Sequence, residues 1–105
     1  MRNHVQLIGR LSREVDYRQT TAGDPIARVT LGTREVHRTS SGDKVVDVQW
    51  HQLVGWGRIA EMMYTMLRKG RSVAVQGRLI HRTYGEGDEK TFRTEIHVHE
   101  FMLMN

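Results

Sequence analysis

The strongest catalytic candidate in this 105-residue sequence is Gly55-Trp56-Gly57-Arg58-Ile59-Ala60, which has the G-x-G-x-x-A spacing of a dinucleotide fingerprint. Such a site needs an acid about 20 residues further on for the ribose hydroxyls. Gln76 and Arg78 stand there instead. The neighbouring strands also alternate in polarity, whereas parallel strands buried on both faces run continuously apolar. The two glycines therefore read as a sharp turn from a strand into a helix, and an oxidoreductase is not expected. Six histidines invite a metal reading, but only His97 and His99 are close in sequence, and neither a cysteine nor a third ligand accompanies them. Exposed histidines on one strand face are expected, with no metal and no cofactor. Glu86, Asp88 and Glu89 crowd one hairpin tip, and no nucleophile stands beside a base. Nothing here assembles a catalyst.

Binding chemistry is better supplied. Trp50 and Trp56 flank the end of one strand, and Tyr84 follows His81-Arg82-Thr83 at a hairpin. Flat rings on which bases stack, set among cations that take the phosphates, are what a single-strand binder needs. Trp56, between two glycines and before Arg58, can stand exposed. Trp50 continues the Val46, Val48 face, so alternation leaves it either core or contact. The charge agrees with a polyanion partner. Sixteen Lys and Arg against twelve Asp and Glu give a net charge of +4, and thirteen of those sixteen cations are Arg. Arginine meets phosphate in a planar fork and stacks on rings, which lysine does not.

The elements that must position these residues follow from polarity. Val5, Leu7 and Leu11 open an alternating stretch, with Gly9 marking a bulge or bend. After the turn Thr20–Pro25, Ala27, Val29, Leu31 and Thr33 share one face against Arg28, Thr30, Gly32 and Arg34. A polar loop at Thr39–Asp43 precedes Val46, Val48 and Trp50. Val73, Val75, Gly77 and Leu79 alternate later, as do Phe92, Thr94, Ile96 and Val98 after the loop Gly85–Glu89. One segment, Arg58–Lys69, has helical period: Ile59, Met62, Met63, Met66 and Leu67 form a stripe whose methionines are expected to pack over a barrel end. Arg68 and Lys69 suit its negative end and Gly70 its C′ position. The order β-β-β-α-β-β predicts an all-β fold, a five-stranded OB barrel with one helix between strands three and four, as a single domain over residues 1–105. A core this small makes self-association a reasonable expectation. The lack of cysteine fits a reducing cytoplasm, and no apolar stretch approaches the ~20 residues of a membrane span.

Several stretches carry a family likeness: Val5-Gln6-Leu7-Ile8-Gly9-Arg10-Leu11, Ala27-Arg28-Val29-Thr30-Leu31-Gly32-Thr33, Trp50 through Glu61, Tyr64 through Gly70, and Val75-Gln76-Gly77-Arg78-Leu79. In order and spacing they resemble the DNA-binding domain of the bacterial single-stranded DNA-binding protein family, across nearly the whole chain. The run of Trp50-His51, then Trp56-Gly57-Arg58-Ile59-Ala60-Glu61, is the most specific part. The resemblance implies an OB fold and sequence-independent, non-catalytic binding of single-stranded DNA in replication, recombination and repair. It also implies a homotetramer built as a dimer of dimers, in a bacterial cytoplasm and associated with the nucleoid.

The family's stacking positions fall on Trp50, Trp56 and Tyr84. A further one aligns near Val36-His37, where His37 can stack and Val36 cannot. Arg18, Arg34, Arg38, Arg58, Lys69 and Arg82 stand at or near positions suited to backbone contacts. His51 matches a subunit-interface position and is read as structural. Relatives typically continue into a flexible tail with an acidic, Phe-ending tip that recruits replication and repair enzymes. This sequence ends at Phe101-Met102-Leu103-Met104-Asn105, so it is either a shortened chain or a short paralogue, and tail-mediated partners are not expected. The alternative is a primosome-accessory OB protein acting mainly as a protein–protein adaptor, against which the helix and the paired tryptophans argue.

Overall fold

The alternating stretches of the sequence become long antiparallel strands in the computed structural model, which describes residues 1–104. In chain order these are β1 (Val5–Leu11), β2 (Asp16–Gln19), β3 (Pro25–Arg38), β4 (Lys44–Trp56), α1 (Arg58–Met66), β5 (Ser72–Tyr84) and β6 (Thr91–Met104). The sheet runs β1-β5-β6-β4-β3-β2, and β1 also pairs with β3 at Arg10↔Gly32 and Leu11↔Leu31, which closes it. Among the described residues only β4 and β6 pair in parallel, over Gln52–Val54 and Glu95–His97. Because β1 and β2 take successive stretches of one edge of β3, the six segments make a five-stranded closed barrel. The helix follows β4 rather than a third strand only because the short β2 adds one to the count.

Closure needs close backbone approach. A Cβ on Gly9 would run into the Gly32 carbonyl, so only glycine lets β1 cross onto β3 here. The second special point is a β-bulge: Gln76 pairs with Glu100 and Gly77 with Val98, leaving His99 as the extra residue. That bulge takes His99 out of register with His97. His97 is not the exposed strand histidine expected, since its side chain is 12% exposed and bonded to Glu95.

Leu31, Leu53, Val73, Val75 and Ile96 fill the barrel, and Ala60, Met63 and Leu67 cap one end. The helix is shorter than its periodicity predicts, ending at Met66, with Leu67 extended and buried. Its stripe narrows accordingly: Met63 is buried, while Met62 and Met66 are substantially exposed. A helix of just over two turns seats one narrow face, and Gly55 leaves the space that the Met63 sulfur occupies. Gly70, with φ of 87°, serves the turn into β5 rather than the helix C′ position, its N–H donating to the Leu11 carbonyl. Arg68 does cap the helix, its Nη1 donating to the carbonyls of Tyr64 and Leu67 at 3.0 and 2.8 Å. Tyr64 in turn stacks on Tyr17 of β2 with centroids 4.6 Å apart, fixing the helix to that edge.

The distal halves of the β3–β4 and β5–β6 hairpins project from the barrel. The radius of gyration, 15.8 Å, exceeds the ~13 Å of a compact chain of this length. Val46 and Val48, predicted as a strand's apolar face, are each 44% exposed because their part of β4 lies beyond the core. No helix among the described residues is long and apolar enough to cross a membrane.

Candidate functional site

Side chains alternate across a pleated sheet, so pairing register assigns faces. On β3 the residues facing outward are Arg28, Thr30, Gly32 and Arg34, because Ala27, Val29 and Leu31 are buried. Their partners on β4 are Val54, Gln52, Trp50 and Val48. One row holds Arg10 of β1, Gly32 and Trp50. The row at the other end of the face holds Arg18 of β2, Ile26 and Trp56. Between them lie Thr30, Gln52, Glu95 and Ile80, then Asp16, Arg28, Val54, His97 and Arg78. Trp50 and Trp56 thus sit on one strand and one face, about 20 Å apart at ~3.3 Å per residue.

Trp50 is 62% exposed, which decides between the two readings its alternation left open: it is not core. Its ring lies across Gly32, where a Cβ would come within 2.6 Å of the ring carbon Cζ3. The missing side chain is what lets the indole lie flat on β3. An open groove of about 340 Å³ lined by Arg10, Gly32, Arg34 and Val48 borders the ring on one side. Another of about 360 Å³, with Arg13, Thr30 and Gln52, borders it on the other. Trp56 is 43% exposed and is held by the Gly57 N–H, which donates to the Pro25 carbonyl at 3.0 Å. Tyr84, 41% exposed, ends β5 on this same face. The guanidinium of Arg93 lies 5.4 Å from its ring centroid, a cation–π contact that leaves the other ring face open.

The remaining sequence-predicted residues divide. Arg34 and Arg38 share the Trp50 face of the β3–β4 arm, Arg38 donating to the Gly42 carbonyl at 3.1 Å. Arg18 lies on the Trp56 row, 3.1 Å from Asp16 and largely exposed. Arg58 opens α1 beside Trp56. Arg82 shares the outward face but binds Glu95 at 3.1 Å. His37 pairs with Val45 on the opposite face of the arm from Trp50, so it does not extend this platform; Val36 occupies the Trp50 side. Lys69 lies in the turn after α1, its backbone N–H on the Glu14 carboxylate, and belongs to none of these rows. His51 is half-buried with its Nε2 2.9 Å from the Thr33 hydroxyl, consistent with a structural role.

At the centre of the face is a group the sequence did not signal. Glu95 is 1% exposed and accepts hydrogen bonds from Arg28 Nη1 at 2.8 Å and Arg82 Nε at 3.1 Å, with His97 Nε2 at 3.2 Å. Burial pushes its carboxyl up. The hydrogen bonds from Arg28, His97 and Arg82 and the Arg28 charge more than reverse that, holding it below the ordinary glutamate value. Arg10, Arg28 and Arg93 were likewise missed as members of the site. Polarity alternation places Arg28 outward, but nothing local brings it to a glutamate 67 positions away.

Comparison with known proteins gives one consistent result. Residues 2–104 match the Single-strand binding protein family. A single-stranded DNA-binding protein 1 of Chlorobaculum tepidum is 38% identical over 97 residues, covering 90% of this chain and 59% of that relative. A single-stranded DNA-binding protein of Xanthomonas campestris pv. campestris is 32% identical over 103 residues, covering 97% and 60%. The chain therefore spans about 60% of the length of these curated relatives. Among solved structures, a Plasmodium falciparum SSB complex with ssDNA superposes with a TM-score of 0.92 at 30% identity, covering 100% of this chain and 96% of that one. The wild-type single-stranded DNA-binding protein of Thermus aquaticus gives 0.84 at 29% identity, covering 98% and 50%.

Proposed function

This chain belongs to the single-strand binding protein family, and on that premise we propose that it binds single-stranded DNA without sequence preference and without catalysis. The observation that carries the reading is the shared face: two exposed tryptophans on β4, in rows that also hold Arg10 and Arg18. Bases stack on Trp50, Trp56 and the open side of Tyr84. Arg10, Arg18, Arg34 and Arg58 neutralise phosphates and release counterions. Sequence independence follows because every base has a π-face and phosphates carry no sequence. The cellular role is to cover and protect single strands exposed in replication, recombination and repair.

Titration with poly(dT) while following tryptophan emission, at two salt concentrations, tests this. Strong quenching that weakens as salt rises is expected. An unchanged emission at low salt would remove the reading.

We further propose that the chain works as a homotetramer, a dimer of dimers, as its family suggests. The outer faces of β1, β5 and β6 offer a seat for a second copy. Ile8 and Met102 are 58% and 67% exposed there, beside a groove that also includes Ala74 and Met104. Sedimentation equilibrium is expected to give a tetramer mass near four times 12.2 kDa; a concentration-independent monomer contradicts it.

A further inference from the structure

Glu95 takes no part in the stacking and phosphate chemistry just described. Among the described residues it is the charged side chain that is fully buried, yet it lies on the binding face and not in the barrel interior. Its place is one row from Trp50 and two rows from Trp56. Two of its three partners are arginines whose side chains remain 42% and 43% exposed. Each spends one nitrogen on the carboxylate, Arg28 through Nη1 and Arg82 through Nε. A guanidinium has five N–H donors in a fixed plane, so most of each fork still faces outward. One buried anion therefore tethers two cations to the face and cancels about half of their combined charge.

We propose that Glu95 is a positioning residue for single-strand binding: it anchors Arg28 and Arg82 between the aromatic platforms so that they meet bases as planar stacking and hydrogen-bonding surfaces, not as phosphate clamps. This rests on the single-strand reading above. Arginine suits the role because its plane stacks where an ammonium cannot. The consequence is measurable in salt dependence, since each phosphate neutralised on a single strand contributes about 0.7 to the slope of log K against log salt. Arg28 and Arg82, half neutralised by Glu95 and held over the bases, contribute little to that slope, whereas Arg34, which has no acidic partner among the described residues, contributes fully.

The test measures poly(dT) affinity across a salt series for the wild type, Glu95→Gln, Arg28→Gln, Arg34→Gln and the double variant Glu95→Gln/Arg28→Gln. Glu95→Gln frees the arginines, and the slope is expected to steepen by about 0.7 to 1.4. Adding Arg28→Gln should take back about 0.7 of that. In the wild-type background Arg34→Gln should flatten the slope by about 0.7 and Arg28→Gln by less than half as much. A folded Glu95→Gln protein with an unaltered slope overturns the proposal. If circular dichroism shows that Glu95→Gln does not fold, the comparison of Arg28→Gln with Arg34→Gln decides alone, and equal flattening overturns it. Failure of the reading underneath is recognised separately, by a wild type that poly(dT) does not quench at all.

Discussion

Replacing Trp50 with alanine is expected to weaken poly(dT) binding by about 1–3 kcal/mol, roughly 5- to 150-fold, while the domain melts close to the wild-type temperature. The first half follows from stacking: an indole lying flat on β3 between two open grooves offers its outer face to a base. The second half follows from exposure. A ring that is 62% exposed leaves no internal cavity when it is removed, so the large penalty of emptying a core does not arise. Trp56→Ala should lose a similar amount of affinity. With ~20 Å between the two positions, the losses should add in the double variant. Gly32→Val offers a check that keeps the tryptophan. Its side chain would occupy the space of the Trp50 ring and tilt it off the sheet, so most of the Trp50→Ala loss should reappear. Because the double variant retains neither of the chain's two tryptophans, anisotropy of a dye-labelled oligo(dT), titrated with all four proteins in parallel, reads the result. Wild-type affinity in Trp50→Ala would mean that the exposed ring serves something other than nucleic acid.

The other large effect concerns stability. Arg28→Met is expected to lower folding stability by about 1–3 kcal/mol at neutral pH, because the buried Glu95 loses its 2.8 Å partner and keeps only Arg82 and His97. The same change should move acid unfolding to higher pH. Burial acts against the Glu95 charge, but the hydrogen bonds and the Arg28 charge hold its folded value below the ordinary 4.5. A carboxylate depressed on folding binds fewer protons folded than unfolded, so its contribution is complete above the unfolded value and is lost as pH falls through the folded one. Without Arg28 the folded value rises toward 4.5 and the contribution shrinks. Glu95→Gln should remove that part of the acid limb altogether, flattening stability between 4.5 and the lower folded value. Urea unfolding at a series of pH values measures both variants. An acid limb in Arg28→Met that coincides with that of the wild type would show that the Arg28 contact is worth nothing to the fold.

Much of this molecule was legible in its sequence because the relevant physics is local. Period-two polarity is a property of neighbouring residues, and it marked the strands around Ala27–Leu31 and Val73–Leu79 and the inward side of each. The turn glycines and the G-x-G step into the helix are local as well. The aromatic and cationic side chains of a binding face could be named from type and spacing, and a family likeness sharpened Trp50, Trp56 and Tyr84.

Other features depend on partners distant in sequence, and there only the tertiary structure decided. Alternation could not say whether the Val46, Val48, Trp50 face meets a core, since that turns on how far the β3–β4 arm runs past the barrel. It could not tell that His37 and Trp50 fall on opposite faces, which the register from Gly32↔Trp50 to His37↔Val45 settles. Helical periodicity overran the true end of α1 because the pull of Leu67 into the barrel outweighs one more turn. Glu95 is the clearest case. Arg82 reaches it across the β5–β6 hairpin, but Arg28 arrives only through a parallel β4–β6 pairing that joins segments more than 40 positions apart, and no local pattern encodes that contact.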